Sequence, residues 1–242
     1  MRSRTRQGTL KRSYAPTWSK AVNSQKHAAN LGTSFAPTCR QLLSPNSMRN
    51  VQDAENSSLP GGFMNICVFC SSSNNLDDIY LDAAAALGRA IARHGHTLVF
   101  GGYDMGLMGA SARAAVEAGG RVIGITTEGL SAKGRAVVAG IEEECTTDLS
   151  ARKKRMVELS DAFVTLPGGL GTFDEFFSVI SRVKAGELNA PSALLDVDGF
   201  FKPLAALLDD AYARGLNSSN WRAACEIFDD AEALVAWIEN AR

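Results

Sequence analysis

Short apolar runs alternate with stretches of helical periodicity from residue 65 to the end of the chain. Runs rich in β-branched and aromatic residues, bounded by Gly, Pro or Ser, indicate buried strands at 66–70, 97–100, 121–126, 141–145, 162–166, 192–196 and 226–228. Apolar residues at i, i+3 and i+4 spacing predict helices over 79–93, 107–118, 149–160, 200–214 and 231–240, and one that follows the strand 162–166 and runs to about 185. This alternation predicts an α/β protein with a doubly wound parallel sheet of about seven strands. The three glutamates in 141–145 indicate that this strand lies at an edge of the sheet.

The first 63 residues differ from the rest of the chain. They are rich in Ser, Asn and Pro without a sustained hydrophobic period, and residues 1–52 contain nine Lys or Arg and no acidic residue. We therefore predict a disordered basic extension over 1–63, followed by a single domain over 64–242. The same composition is typical of organelle transit peptides. An extension without a function of its own is the alternative, and the one we favour.

Composition restricts the partners and the compartment. The net charge is −1, so no strong field attracts nucleic acid, and no apolar run approaches the roughly 18 residues of a membrane helix. We expect neither a nucleic acid nor a membrane as a partner. Five irregularly spaced cysteines favour reduced thiols, which predicts a cytoplasmic location over an organelle.

A glycine-rich motif, Leu166 to Glu175 with the sequence LPGGLGTFDE, joins a predicted strand to a predicted helix. Such a turn presents unpaired backbone N–H groups, which bind anions and above all phosphate. It is not a Walker A loop, because no Gly-Lys-Ser/Thr occurs in it. Asp174 stands where a dinucleotide fingerprint has its third glycine. The motif therefore favours a nucleoside monophosphate over NAD.

The carboxyl edge of a parallel sheet, where ligands bind, sorts the remaining candidates. The glycine loop 101–109 and the serine loop 71–75 both follow strands, and Arg152 opens a helix at that same edge. His94 and His96 precede a strand and lie at the opposite edge, which argues against a Ser-His-Asp or Cys-His site. Cys67 and Cys70 point to opposite faces of their strand, so they cannot share a metal ion.

Two of these features also have purely structural interpretations. Thr172 and Glu175 have the spacing of a capping box, in which the threonine caps a helix and the glutamate bonds back to its N–H. The run from Arg152 to Arg155 could be a solvated basic turn. The residues alone leave both alternatives open.

Three motifs in this order closely resemble one protein family. They are Arg152-Lys153-x-x-Met156, Ser160-Asp161-Ala162-Phe163 and Pro167-Gly168-Gly169-x-Gly171-Thr172-x-x-Glu175, supported by 67–73 and 106–109. The resemblance is to the Lonely guy family of cytokinin riboside 5′-monophosphate phosphoribohydrolases, often mislabelled lysine decarboxylases. It spans about residues 65 to 215.

The resemblance implies a Rossmann-like homodimer whose active site is shared across the interface. It implies hydrolysis of the N-glycosidic bond of an adenine-type nucleoside 5′-monophosphate, without a metal or a cofactor, to free base and ribose 5-phosphate. Arg152 and Glu175 would be the catalytic pair. The residues implied to bind substrate are Lys153, Gly168, Gly169, Leu170, Gly171, Thr172, Phe173, Asp174, Ser181, Gly102, Gly106 and Met108.

The chain also departs from the family pattern. Tyr103 stands where the family usually has a third glycine, and we expect it to narrow the loop or to stack on a base. Ser181 replaces a threonine, and the loop 127–140 lacks a glutamate that the family places near Gly134, which leaves the base specificity open. The alternative function is a nucleotide or molybdenum-cofactor carrier without hydrolysis. A lysine decarboxylase is rejected, because nothing marks a pyridoxal-phosphate lysine.

Overall fold

The computed structural model describes residues 62–241. All but the last two residues of the predicted extension over 1–63 lie outside this range, so its disorder and the boundary at 64 stay predictions. The strands are β1 (Asn65–Phe69), β2 (Thr97–Phe100), β3 (Val122–Thr127), β4 (Glu142–Thr146), β5 (Ala162–Thr165), β6 (Ser192–Leu195) and β7 (Glu226–Phe228). The helices are α1 (Asp78–Arg93), α2 (Gly106–Glu117), α3 (Glu128–Ser131), α4 (Leu149–Leu159), α5 (Leu170–Lys184), α6 (Lys202–Ala213) and α7 (Ala231–Asn240), with a 3₁₀ turn at Trp221–Ala223.

The seven strands form one parallel sheet in the order β4-β3-β2-β1-β5-β6-β7. This confirms the predicted doubly wound α/β fold, and β4 is an edge strand as its glutamates indicated. The direction of winding reverses between β1 and β5, so the loops that follow these two strands diverge. Ligands of open α/β sheets bind in the crevice at this reversal, outside the carboxyl ends of the strands.

Hydrophobic layers cover both faces of the sheet. On one face Ile66 and Val68 of β1 pack with α1, α2 and α7. On the other face Cys67 and Phe69 pack against α4 and α5. This alternation is the period of two that a buried parallel strand imposes. It confirms that Cys67 and Cys70 lie on opposite faces, since Cys70 belongs to the first layer.

The segment between β3 and β4, predicted as irregular, contains the short helix α3 and then returns to the sheet edge. There Val137 forms an antiparallel bridge with Tyr103 of the glycine loop after β2. The segment therefore forms one wall at the carboxyl edge. No helix within residues 62–241 is long and apolar enough to cross a membrane.

Candidate active site

The turn between β5 and α5 holds the glycine-rich motif at the reversal point of the sheet. Helix α5 begins at Leu170, and its N-cap is Gly169, in an extended conformation and without a side-chain cap. At the start of the helix, the Phe173 N–H donates to the Gly169 carbonyl at 3.0 Å. The N–H groups of residues 170–172 therefore lack helical partners, as at every helix start, and can bind an anion.

The capping-box interpretation of Thr172 and Glu175 is wrong, because the helix begins at Leu170, three residues before the start that this motif requires. Thr172 is buried in the first turn, and a Cβ at position 168 would lie 2.2 Å from its Oγ1. The threonine therefore packs beneath the turn, and Gly168 permits that close approach. Glu175 lies in the second turn and is not used as a cap.

The mouth of the turn is open. A Cβ on Gly169 or Gly171 would meet nothing within 4 Å, and the side chain of Leu170 is 90 % exposed. This leaves space for a ligand directly above the free N–H groups.

Arg152 and Glu175 meet at the base of this opening. The distance from Arg152 Nη1 to Glu175 Oε1 is 3.8 Å, and both side chains are largely buried. That separation makes an ion pair but is too long for a hydrogen bond. Arg152 Nε donates to the Ile125 carbonyl at 2.8 Å, which anchors the guanidinium at the end of β3. The structure thus brings the two residues of the proposed catalytic pair together.

Burial changes the acid strength of this carboxyl. Desolvation raises the pKa of Glu175 to about 7, a rise that Asp174 reinforces and that the charges of Arg152 and Lys153 oppose. A carboxyl with a pKa near neutrality can both hold and release a proton under physiological conditions. Neither a capping role nor a surface ion pair requires a carboxyl whose pKa is near neutrality.

The other three residues of the basic run, 153–155, form ion pairs outside the Arg152–Glu175 pair. Lys153 forms an ion pair with the exposed Asp174 at 2.7 Å, on the rim of the opening. Lys154 is exposed and pairs with Glu158, and Arg155 pairs with Glu144 of the edge strand. The solvated-turn interpretation therefore holds for Lys154 but not for Arg152.

The glycine loop after β2 packs directly behind Arg152. A Cβ at Gly101 would lie 1.5 Å from Arg152 Nη2 and 3.0 Å from the sulfur of Met108. Gly102 has a φ of +81° and its own close neighbour in Thr126. Gly101 is a site residue that the motif analysis missed, although the glycine pair was its visible signal.

Gly106 joins this loop to the serine loop after β1. Its φ is +50°, its N–H donates to Asn74 Oδ1 at 2.9 Å, and a Cβ there would collide with the carbonyls of Ser71 and Ser73. Gly102, Gly106 and Met108 thus shape the wall of the site.

Two predicted substrate residues lie on other sides of α5 than Glu175. Phe173 stacks on Phe200, with ring centroids 6.3 Å apart. Ser181 is exposed and follows Glu175 by six residues, about 9 Å along the helix axis and on another face. Contact of these two residues with substrate stays a prediction.

Tyr103 does not have the role of a base-stacking residue, because its side chain is completely buried. Its ring lies against the guanidinium of Arg152, 6.0 Å from ring centroid to Cζ. A tyrosine within a glycine loop was the only sequence signal for this contact.

The histidines lie at the opposite edge, as predicted. His94 bonds to Glu232 and Glu239 of α7, and His96 also bonds to Glu239, each at 3.1 Å. Within residues 62–241, no group of three or more His, Cys, Asp or Glu side chains has the geometry to hold a metal ion.

Fold and site together define a Rossmann-like protein with an open helix N-terminus beside a buried arginine–glutamate pair. A family model described as possible lysine decarboxylase matches residues 108–238. A cytokinin riboside 5′-monophosphate phosphoribohydrolase from Rhodococcoides fascians is 36% identical over 176 residues, which cover 72% of this chain and 89% of that protein. One from Arabidopsis thaliana is 36% identical over 177 residues, covering 73% of this chain and 82% of that protein. The chain belongs to this family, the Lonely guy family.

Solved structures show the same fold at lower identity. The molybdenum cofactor carrier protein from Chlamydomonas reinhardtii matches with a TM-score of 0.56 and 24% identity, covering 73% of this chain and 96% of that one. The molybdenum cofactor binding protein from Rippkaea orientalis matches with a TM-score of 0.54 and 23% identity, covering 74% and 95%. At this identity the likeness concerns the fold alone.

Proposed function

We propose that the protein hydrolyses the N-glycosidic bond of cytokinin riboside 5′-monophosphates, AMP or both, yielding free base and ribose 5-phosphate. The observation that carries this proposal is the buried Glu175, whose pKa is raised to about 7, facing Arg152 below an open helix N-terminus. The names of the family relatives support the same reaction and substrate class.

The helix geometry suits a ribose 5-phosphate. In the proposed complex, the 5′-phosphate accepts hydrogen bonds from the N–H groups of residues 170–172. Glu175 lies five residues after Leu170, about 7.5 Å along the axis, and helical side chains lean back toward the N-terminus. The carboxylate therefore reaches toward the sugar while the phosphate fixes the position of the ribose.

The chemistry needs a carboxylate at this point. Breaking the bond between the ribose C1′ and the base nitrogen passes through an oxocarbenium-like state. Ionised Glu175 stabilises that positive charge and orients the attacking water. The hydroxyl of the water bonds to C1′ and its proton goes to the departing base. The charge of Arg152 favours the ionised form of the carboxyl, and because no electrons are transferred the reaction needs no redox cofactor.

The test compares nucleotides with nucleosides. We expect free base from AMP or isopentenyladenosine monophosphate, and at least about a hundredfold less from the matching nucleosides, which lack the phosphate that positions the ribose. Chromatography of the reaction mixtures measures the base. Binding of both nucleotides without release of base would contradict the hydrolase and favour a carrier.

We further infer a homodimer with an active site shared between protomers, located in the cytoplasm. Supporting a dimer, α5 and α6 expose several large apolar side chains, namely Leu170, Phe177, Leu207 and Tyr212.

Supporting the cytoplasmic location, the four cysteines within residues 62–241 are all free thiols. Fractionation of cells that produce the full-length chain tests the location.

A further inference from the structure

Tyr103 lies in the glycine loop at the position where the family usually has a third glycine. Its side chain is 0 % exposed, and it is among the largest fully buried side chains of the described chain. A buried aromatic ring in a tight loop at the edge of an active site has to make specific contacts there.

The ring of Tyr103 faces two cations. The guanidinium carbon of Arg152 lies 6.0 Å from the ring centroid, and that of Arg135 lies 5.6 Å from it. The negative potential of an aromatic face attracts guanidinium groups, and the attraction is stronger where water is excluded. The ring therefore forms one side of the pocket that holds the Arg152 side chain.

The other contacts of Arg152 leave its orientation incomplete. Its Nε bonds to the Ile125 carbonyl at 2.8 Å, and Gly101 provides space for one terminal nitrogen. The contact with Glu175 at 3.8 Å is too long to fix a direction. The face of the Tyr103 ring is a further contact that restricts the position of the guanidinium.

The hydroxyl of Tyr103 is itself fixed on both sides by one residue. It accepts from the Thr127 N–H at 2.8 Å and donates to the Thr127 carbonyl at 3.0 Å, and Ser131 Oγ lies at 3.3 Å. Thr127 ends β3, the same strand whose Ile125 carbonyl holds Arg152. Ring and hydroxyl therefore link the guanidinium to the strand end.

The backbone on either side of Tyr103 holds the wall segment 128–138. Tyr103 forms its antiparallel bridge with Val137, and the Asp104 N–H donates to the Ala136 carbonyl at 2.9 Å. Tyr103 therefore contacts Arg152 through its ring and the wall segment through its backbone and its hydroxyl.

We propose that Tyr103 is a positioning residue, which holds the Arg152 guanidinium at Glu175 and joins it to the end of β3 and the wall segment 128–138. The proposal rests on the proposed hydrolase function for its catalytic consequence. It does not make Tyr103 a catalytic residue, because the ring is completely buried and has no surface on the opening.

Three variants test it in the full-length protein. Tyr103→Phe retains the ring and loses the hydroxyl bonds, so we expect kcat to fall less than about tenfold. Tyr103→Leu also loses the aromatic face, so we expect kcat to fall about thirtyfold, with KM changed less than about threefold. Phe201→Leu removes an equally buried ring from the cluster around Trp221. It controls for general loss of stability, and we expect kcat to stay within about twofold of wild type.

The second measurement does not depend on turnover. NMR titration of ¹³C-labelled glutamate carboxyls follows Glu175, assigned by its absence from the Glu175→Gln spectrum. Because the Arg152 charge lowers the pKa of Glu175, its displacement in Tyr103→Leu should move that titration to higher pH, and Phe201→Leu should leave it unchanged.

The two readouts separate the proposals. If wild-type protein releases no base, the proposed function fails and the titration still decides the role of Tyr103. The proposal on Tyr103 is overturned if Glu175 titrates in Tyr103→Leu as in wild type. It is also overturned if Phe201→Leu, at a matched drop in melting temperature, shows the same kinetic loss.

Discussion

Glu175 is buried where its negative charge is poorly solvated. The fold raises the pKa of this carboxyl from 4.5 to about 7 through desolvation, and the charge of Arg152 only partly offsets that effect. A carboxyl that served stability alone would have its pKa lowered by its neighbours. A raised pKa of this kind is common among active-site carboxyls, and it comes at a cost to stability.

The pH dependence of stability follows with a definite sign. Because the folded-state pKa exceeds the unfolded value of 4.5, the contribution of Glu175 is fully present below pH 4.5 and is lost as the pH rises through about 7. The shift corresponds to about 3 kcal/mol at most, since one pKa unit equals about 1.4 kcal/mol.

We therefore predict that Glu175→Gln is more stable than wild type at pH 8, by about 1 to 3 kcal/mol. The difference should shrink toward pH 4.5, where the wild-type carboxyl is protonated. Urea unfolding at several pH values measures it. Glu158→Gln, which changes an exposed carboxyl on α4, is the matched control and should not reproduce the pH-dependent gain. The difference in free energy of unfolding between Glu175→Gln and wild type should therefore be larger at pH 8 than at pH 4.5. A smaller difference at pH 8 would contradict the raised pKa of Glu175.

At the scale of elements, the strand–turn–helix units were predictable because each strand ends at a residue that breaks its pattern. β2 was found at the predicted residues 97–100, since Gly101 follows a continuous apolar run. The start of α5 stayed open, because Thr172-x-x-Glu175 matches a capping box. An extended Gly169 starts the helix earlier, and only the packing of Thr172 under Gly168 shows why the box is not used.

The contacts that join different loops could not be predicted in the same way. Arg152 was placed at the correct edge by topology, yet its neighbours Gly101 and Tyr103 lie about fifty residues away in sequence. No hydrophobic period links such positions, because they are defined by the tertiary arrangement of two loops and one helix.

The loop after β2 yields a prediction at this scale. Gly101→Ala places a methyl group 1.5 Å from the present position of Arg152 Nη2, so the guanidinium has to move. We expect kcat to fall at least about thirtyfold, as for other misplaced catalytic groups. Steady-state kinetics and melting temperature measure the effect.

Gly129→Ala in α3 is the matched control, because a Cβ there meets nothing within 4 Å. It should retain kcat and melting temperature within error. Unchanged kcat in Gly101→Ala would show that the position of Arg152 is not critical.

At the scale of the whole molecule, the sheet order explains how separate motifs form one site. The loops after β1, β2 and β5 follow three adjacent strands, and the start of α4 approaches the same edge. Parallel topology alone was sufficient to predict that these loops and the start of α4 lie at one edge of the sheet. It also predicted that the histidines lie at the opposite edge. The oligomeric state needs a second copy of the chain and does not follow from topology.

We predict a dimer of about 52 kDa, twice the 25.8 kDa of one chain, by light scattering at micromolar concentration. Phe177→Asp places a charge on the exposed apolar side of α5 and should shift the mass toward the monomer. Ser218→Asp, an exposed polar position beyond α6, is the control and should remain dimeric. A monomer with full activity would contradict the inferred shared site.

We propose that Glu175 acts in the hydrolysis of a nucleotide and does not cap its helix. The most direct test of this role is base release at pH 8 from AMP and isopentenyladenosine monophosphate by wild type and Glu175→Gln. We predict equal amounts of base and ribose 5-phosphate from wild type, and at least about a hundredfold less from the folded Gln variant. Absence of base from both nucleotides with wild type, or full activity of Glu175→Gln, would contradict it.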